Sequence, residues 1–387
     1  MRPKFHIATP EEIKAGKTTD VYFLRTKEVL QKKDINRRVV AEVTASALPN
    51  HYPWGVLSGV EEVAALMDGY KVDIDCMPEG SAFYPVEPVM RVEGNYREFC
   101  EFETPLLGLL CQASGITTKA ARLRKLAGGK SILSFGIRRM HPAIAPMIDR
   151  AAYIGGVEGF SGVAAEKLIG REAVGTMPHA LIITVGDQVK AWQYFDEVVD
   201  KKVPRVALVD TYYDEKIESV MAAEAVKGLQ GVRLDTPGSR RGKMRRIAEE
   251  VRWELDIRGF KNVKIIVSGG VDEEAIKELD NVDGFGIGTS ISSAKTVDFA
   301  MDIIEMEGRP CAKRGKLGGK KEVYRCTRCH KHKVVPTKEA GKMTCSCGGP
   351  MESLLKPLIR DGKLVRDLPS ADEIRLEVMG QLGKLEM

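Results

Sequence analysis

The sequence predicts an α/β protein: an irregular α/β barrel, preceded by an N-terminal α+β domain and followed by a small zinc-ribbon-like module of four cysteines. Three observations predict it. Six short apolar runs between residues 131 and 289 have the length and β-branched content of buried strands. Helix-like stretches at 215–229 and 243–255 separate several of them, and such alternation argues a parallel sheet closed into a barrel. Cys326, Cys329, Cys345 and Cys347 form two close pairs in a small basic segment.

The elements follow in order. Residues 1–115 are expected to form the N-terminal domain. It has a strand near 34–43, a helix at 60–66 after the turn Pro53-Trp54-Gly55, and a strand at 86–93 that Pro85 and Pro88 push to an edge. A buried helix at 99–114 repeats Phe102, Leu106, Leu109, Leu110 and Ala113 at helical spacing, and Ser114-Gly115 ends it. The barrel occupies 116–296, with strands at 131–139, 173–179, 206–211, 231–235, 265–270 and 284–289. The C-terminal region, 297–387, opens with a helix at 297–306 and a break at Gly308-Arg309-Pro310. A basic linker follows with Lys313, Arg314, Lys316, Lys320 and Lys321. The cysteine module spans about 321–355, and 371–382 forms a tail helix with Asp372 near its start.

Composition narrows the class. The 387 residues suffice for two or three domains, and 43% hydrophobic with 29% charged residues is ordinary for a globular protein. A net charge of +5 is too small to argue a nucleic-acid binder by itself. The N-terminal stretch Met1-Arg2-Pro3-Lys4-Phe5-His6 lacks an apolar leader core, and no apolar run nears the roughly 20 residues of a membrane span. The expectation is a cytoplasmic protein, where reduced cysteines bind metal rather than pair as disulfides.

The strand ends carry the chemistry, because barrel sites collect there. Ser268-Gly269-Gly270 and Gly286-Ile287-Gly288-Thr289 follow consecutive strands and precede helices. Glycine lets backbone N–H groups converge on a phosphate, and helix N-termini add a favourable field. One such pair could be a plain tight turn; two on consecutive late strands favour phosphate. Arg138, Arg139 and Arg233 stand at strand ends, where guanidinium forks grip carboxylate or phosphate oxygens. Asp210 and Asp235 end successive strands and could hold a metal ion, ribose hydroxyls or a developing positive charge. The plain alternative for each is a helix N-cap. His179 follows Gly175-Thr176-Met177-Pro178 and could act as acid, base or phosphoryl acceptor; spacing does not choose among them.

Taken together, these residues resemble the nicotinate phosphoribosyltransferase family. The matching pieces are Thr19-Asp20-Val21-Tyr22, Glu103-Thr104-Pro105, Phe135-Gly136-Ile137-Arg138-Arg139, Gly175-Thr176-Met177-Pro178-His179, Val209-Asp210-Thr211-Tyr212, Gly231-Val232-Arg233-Leu234-Asp235, Ser268-Gly269-Gly270 and Phe285-Gly286-Ile287-Gly288-Thr289. They occur in the family's order. The resemblance implies that nicotinate displaces pyrophosphate from phosphoribosyl pyrophosphate, giving nicotinate mononucleotide for NAD synthesis. ATP would be a co-substrate, coupled through a phosphohistidine at His179. The glycine loops, with Ser268, Thr176 and Thr289, would hold the ribose phosphate. Asp210 and Asp235, with Mg2+, would hold the ribose. Arg138, Arg139 and Arg233 would meet pyrophosphate and the nicotinate carboxylate. Tyr22 would stack on the pyridine, often from a neighbouring subunit, which implies at least a dimer. The cysteine module resembles the C-terminal zinc domain of archaeal-type members.

Four thiolates in two close pairs suit tetrahedral zinc in a closed, structural site; His330 is the alternative to one cysteine. Two rival functions stand beside this one. Quinolinate phosphoribosyltransferases share the barrel and the stretch Ser114-Gly115-Ile116-Thr117, but place an arginine after the helix glutamate, where this chain has Thr104 after Glu103. They also lack the histidine tag. The other rival is nucleic-acid binding through the basic run 313–333, which would leave the six strand-end tags without a purpose.

Overall fold

Arg38–Ala45 lies at the middle of an antiparallel sheet in the computed structural model, which describes residues 4–240 and 242–387. Residues 1–3, within the stretch read for a leader, and Arg241 lie outside the described residues. The chain divides into two units, Met1–Thr118 with Lys295–Met387, and Lys119–Ala294.

The first unit is built on seven strands. Their order is Arg309–Pro310, Phe299–Met306, Arg38–Ala45, Met90–Asn95, Val72–Cys76, Lys356–Arg360 and Lys363–Leu364. The strand expected near 34–43 forms at Arg38–Ala45. The one expected at 86–93 forms at Met90–Asn95 and lies inside the sheet, not at its edge, because Pro85 and Pro88 precede it and remove no ladder donor. The helix expected at 297–306 is a strand, Phe299–Met306, paired along Arg38–Ala45. Phe299, Met301 and Ile304 are buried, and a bulge where Val40 and Ala41 face Glu305 and Ile303 shifts the inward face. Cross-strand burial here overrides a helix-like composition.

The helix expected at 99–114 begins at Glu103, after the turn Cys100–Phe102, and continues through Gly115 to Ala127. Gly115 is no stop signal. A Cβ there would lie 2.3 Å from the carbonyl oxygen of Lys295, so glycine permits a close backbone approach. Leu106 and Leu110 on this helix pack with Val43, Leu57, Val63, Ile74 and Val92.

The basic run lies against acids of the same unit. Lys313 and Lys316 both reach Asp302, Lys320 reaches Glu93, and Lys321 reaches the buried Glu42. Arg91, also buried, joins Asp75 and Glu322. The cysteine segment forms a four-stranded sheet of His332–Pro336, Lys321–Cys326, Pro350–Ser353 and Met343–Thr344. Its buried His332 meets Glu87 at 2.9 Å. The tail helix Ala371–Leu382 starts in a capping box between Ser370 and Glu373. Its Gln381 accepts from the N–H of Ala82 and donates to the carbonyl of Gly80.

The second unit holds a six-stranded parallel sheet, ordered Gly159–Phe160, Ser131–Ser134, Gly284–Ile287, Lys264–Ser268, Gly231–Leu234 and Val206–Leu208. The end strands do not pair with each other among the described residues, so the sheet is a half-barrel. The strand expected at 173–179 does not form. Residues 171–178 are irregular, and Val174 gives one hydrogen bond to the Phe160 carbonyl, too few for a ladder. The actual neighbour, Gly159–Phe160, is two residues long and has no readable period. Among the described residues no helix is long and apolar enough to cross a membrane.

Gly115→Ala should destabilise the first unit by about 1–3 kcal/mol through overpacking against Lys295. A lowered urea midpoint is the expected result; an unchanged midpoint would show that the approach relaxes freely.

Candidate active site

Parallel register brings the strand ends of the half-barrel to one level. Ser134 pairs with Ile287, Gly286 with Ser268, Val267 with Leu234, and Arg233 with Leu208. The segments that leave these ends enclose a cavity of about 790 Å³. Arg138, Arg139, Thr176, His179, Arg233, Asp235, Ser268, Gly269, Gly270, Gly286, Gly288 and Thr289 all line it. Asp210 lies just behind, nearly buried and in contact with His179. Tyr22 belongs to the first unit, on helix Val21–Lys32, and is 55% exposed.

Arg233 is the most enclosed cation of the site. Its Nη2 donates to the Met177 carbonyl at 2.9 Å, and its Nη1 donates to Ser268 Oγ at 3.3 Å and lies 3.4 Å from Asp235 Oδ2. Ser268 Oγ in turn donates to Asp235 Oδ1 at 2.7 Å. Burial lowers the pKa of Arg233 from its usual value, and the nearby charge of Arg138 lowers it further, against the pull of Asp235 and Asp210. Arg138 and Arg139 themselves are exposed, on the turn Ile137–Arg139. An anion between Arg138 and Arg233 would relieve their repulsion.

His179 opens helix His179–Val185. Its Nδ1 shares a hydrogen bond with Thr211 Oγ1 at 3.0 Å. Its Nε2 faces Asp210 Oδ1 at 3.7 Å and Asp235 Oδ2 at 3.9 Å. Asp210 Oδ2 accepts from the Asp235 N–H at 3.1 Å and the Thr236 hydroxyl at 3.0 Å, whereas buried Oδ1 has no hydrogen-bond partner among the described residues. Burial raises the pKa of Asp210, opposed by His179 and assisted by the charge of Asp235. Two carboxylates and an imidazole thus converge on one point, suited to a cation, to sugar hydroxyls or to proton exchange.

The glycine loops have the conformation the chemistry needs. Gly269 and Gly270 are both left-handed, at φ +84° and +76°. Backbone of this hand, free of a Cβ, lets a bound anion approach the loop closely. At Gly286, a Cβ would meet the Phe135 ring at 2.7 Å. The following helices are short, Glu273–Glu278 and Thr289–Ser292. Loop N–H groups, more than a long helix dipole, would therefore hold an anion here.

Sequence reasoning missed four residues that shape this site. Ser161 lines the cavity from the loop after the two-residue strand. Thr211 sits inside a motif whose aspartate drew the attention. Glu218 and Asp149 are fully buried acids on helices, at inward positions where the helical pattern leads one to expect apolar residues.

In the first unit, the sulfur atoms of Cys326, Cys329, Cys345 and Cys347 lie within 4.8 Å of one another. Individual separations are 3.5 Å for Cys326 to Cys347 and 3.6 Å for Cys329 to Cys345. Tetrahedral thiolate ligation at ~2.3 Å would set them about 3.8 Å apart. The Cys329 N–H points at Cys326 Sγ and helps pull its thiol down to about 6. The group could hold a metal ion, and His330 is not part of it.

Comparison with known proteins bears on the family and the fold. Family models for the quinolinate phosphoribosyl transferase N-terminal and C-terminal domains match residues 20–114 and 116–302. The chain is 59% identical to the solved nicotinate-nucleotide pyrophosphorylase of Pyrococcus furiosus, with a TM-score of 0.98 and both chains covered in full. A nicotinate phosphoribosyltransferase of Mycobacterium tuberculosis is 29% identical over 95% of this chain and 90% of its own. The human nicotinic acid phosphoribosyltransferase structure shares the fold, with a TM-score of 0.72 at 21% identity, covering 95% of this chain and 94% of its own.

Asp149 gives a test of the site's foundations. It accepts from the Gly162 N–H at 2.9 Å and from Ser134 Oγ at 3.3 Å, tying the loop after Ser161 to a strand end. Burial pushes its carboxyl up to about 6, against those two hydrogen bonds. An acid whose folded pKa exceeds its unfolded value binds more protons when folded, so its contribution to stability falls as pH rises from 3.8 to about 6. Asp149→Asn cannot ionise. Urea unfolding should show its stability rising relative to the parent across that interval; a constant difference would place the ionisation elsewhere.

Proposed function

The chain belongs to the quinolinate phosphoribosyl transferase family, and from that premise we propose that it is a nicotinate phosphoribosyltransferase serving NAD synthesis. The observation that carries this reading is the convergence of His179, Asp210 and Asp235 on the floor of a cavity rimmed by arginines and glycine loops.

Nicotinate and phosphoribosyl pyrophosphate are the substrates. The bond from ribose C1 to pyrophosphate breaks, and the pyridine nitrogen bonds to C1. Gly269, Gly270, Gly286 and Gly288, with Ser268, Thr176 and Thr289, bind the ribose phosphate. Arg138, Arg139 and Arg233 bind pyrophosphate and the nicotinate carboxylate. Asp210 and Asp235 hold the ribose and favour the positive charge that develops on it. Asp210 Oδ1, which lacks a protein donor, and Asp235 Oδ2 fit Mg2+, which when bound neutralises the leaving pyrophosphate. His179 is the phosphohistidine through which ATP hydrolysis is coupled. Tyr22, exposed on its helix, stacks on the pyridine from a second copy in a dimer.

Nicotinate is favoured over quinolinate because Thr104, where a second carboxylate would need an arginine, is occupied with Asp20. Nucleic-acid binding is disfavoured because the lysines at 313, 316, 320 and 321 lie against Asp302, Glu93 and Glu42. Cys326, Cys329, Cys345 and Cys347 hold a structural zinc, which fits their sulfur spacing.

Rates with phosphoribosyl pyrophosphate and nicotinate, nicotinamide or quinolinate, each with and without ATP, test the assignment. Turnover should require nicotinate, ATP should raise it, and His179→Ala should bring the ratio of the two rates to one. Equal turnover with nicotinamide would end the substrate claim. For the cysteine site, the protein should carry one equivalent of zinc, and Cys345→Ser should lose it. Structural zinc contributes ~10–16 kcal/mol to comparable modules, so hydrogen exchange should accelerate through Lys321–Cys326 while Arg38–Ala45 stays protected. Unchanged exchange in the metal-free variant would make the zinc dispensable.

A further inference from the structure

The turn that carries Asp210 and Thr211 is wrapped around one carboxylate. Glu218, on helix Glu215–Ala225, is 0% exposed. Its Oε2 accepts the Thr211 N–H at 3.0 Å, and its Oε1 accepts the N–H groups of Tyr212 and Tyr213 at 2.8 and 2.9 Å. Three backbone donors of the turn are satisfied by a single buried side chain. Asp214 caps the same helix through the Ile217 N–H at 2.8 Å, so the turn is fixed from both sides.

What the turn presents is the partner of His179. Thr211 Oγ1 lies 3.0 Å from Nδ1, and the two acids stand near Nε2 on the other side of the ring. The hydrogen bond between the Thr211 hydroxyl and Nδ1 fixes the ring's orientation, with Nε2 turned toward Asp210 and Asp235.

Building on the functional reading above, we infer that Glu218 is a positioning residue for His179, acting through Thr211. The carboxylate holds the turn, the turn holds the hydroxyl, and the hydroxyl holds the imidazole against Asp210 and Asp235. Glu218 itself touches no substrate. A glutamine in its place keeps the shape but has one acceptor oxygen, and its amide group opposes an N–H that needs an acceptor. Thr211→Val removes the last link of the chain and leaves Glu218 and its three donors in place.

The test compares Glu218→Gln, Thr211→Val and Thr211→Ser in the full chain. Nitrogen-15 NMR of labelled histidine reads the His179 ring, with His179→Ala identifying its signals. Kinetics reads the ratio of nicotinate turnover with and without ATP. Glu218→Gln and Thr211→Val should both shift the ring signals and lower the ATP ratio at least about fivefold, and Thr211→Ser should restore both. If Glu218→Gln does not fold, the two threonine variants decide the matter. Parental ring signals in Thr211→Val overturn the inference, as does a loss in Glu218→Gln that Thr211→Val does not share. The ring signals do not depend on turnover, so a parent protein inactive on nicotinate would defeat the functional reading while leaving this result legible.

Discussion

The nearly enclosed guanidinium of Arg233 is the interaction on which the site depends. A charge withdrawn from water must find partners, and here each partner comes from a different segment. Met177 arrives from the irregular stretch 171–178, Ser268 from the next strand, and Asp235 from the end of its own. The contacts of one cation therefore tie together segments that parallel register has already brought to one level. His179 follows two residues after Met177, which brings it beside Asp210 and Asp235. The electrostatics left over are those a reaction with a charged leaving group needs: exposed arginines at the rim, and acids with a histidine at the floor.

The first unit applies the same rule to a structural end. Buried Arg91 and Glu42 sit on the central sheet, and the segment leading to the cysteines brings Lys321 and Glu322 to them. Its basic residues read as a nucleic-acid footprint in isolation. In place, Lys313, Lys316, Lys320 and Lys321 answer acids of the sheet.

Glycines show how one residue type can be legible in one place and misleading in another. Gly269 and Gly270, between a strand and a helix, were readable as a phosphate turn because left-handed backbone is needed there. Gly115 reads as a helix end by the same local rule. It instead stands inside a helix of 25 residues, because a distant carbonyl passes too close for any side chain. Phe299–Met306 failed for a like reason: its ladder with Arg38–Ala45 is made across more than 250 intervening residues.

Order along the chain displayed the candidates: glycine pairs, arginines, acids and a histidine in a fixed order, and four cysteines at metal-binding spacing. Local backbone preference and side-chain chemistry are properties of short segments, so a sequence can display them. Which residues hold those actors still was decided only by the fold. Glu218 and Asp149 carry no motif, because their meaning lies in donors supplied by other segments. A buried carboxylate looks the same in sequence as a surface one until the chain closes around it and leaves backbone N–H groups with nowhere else to bond.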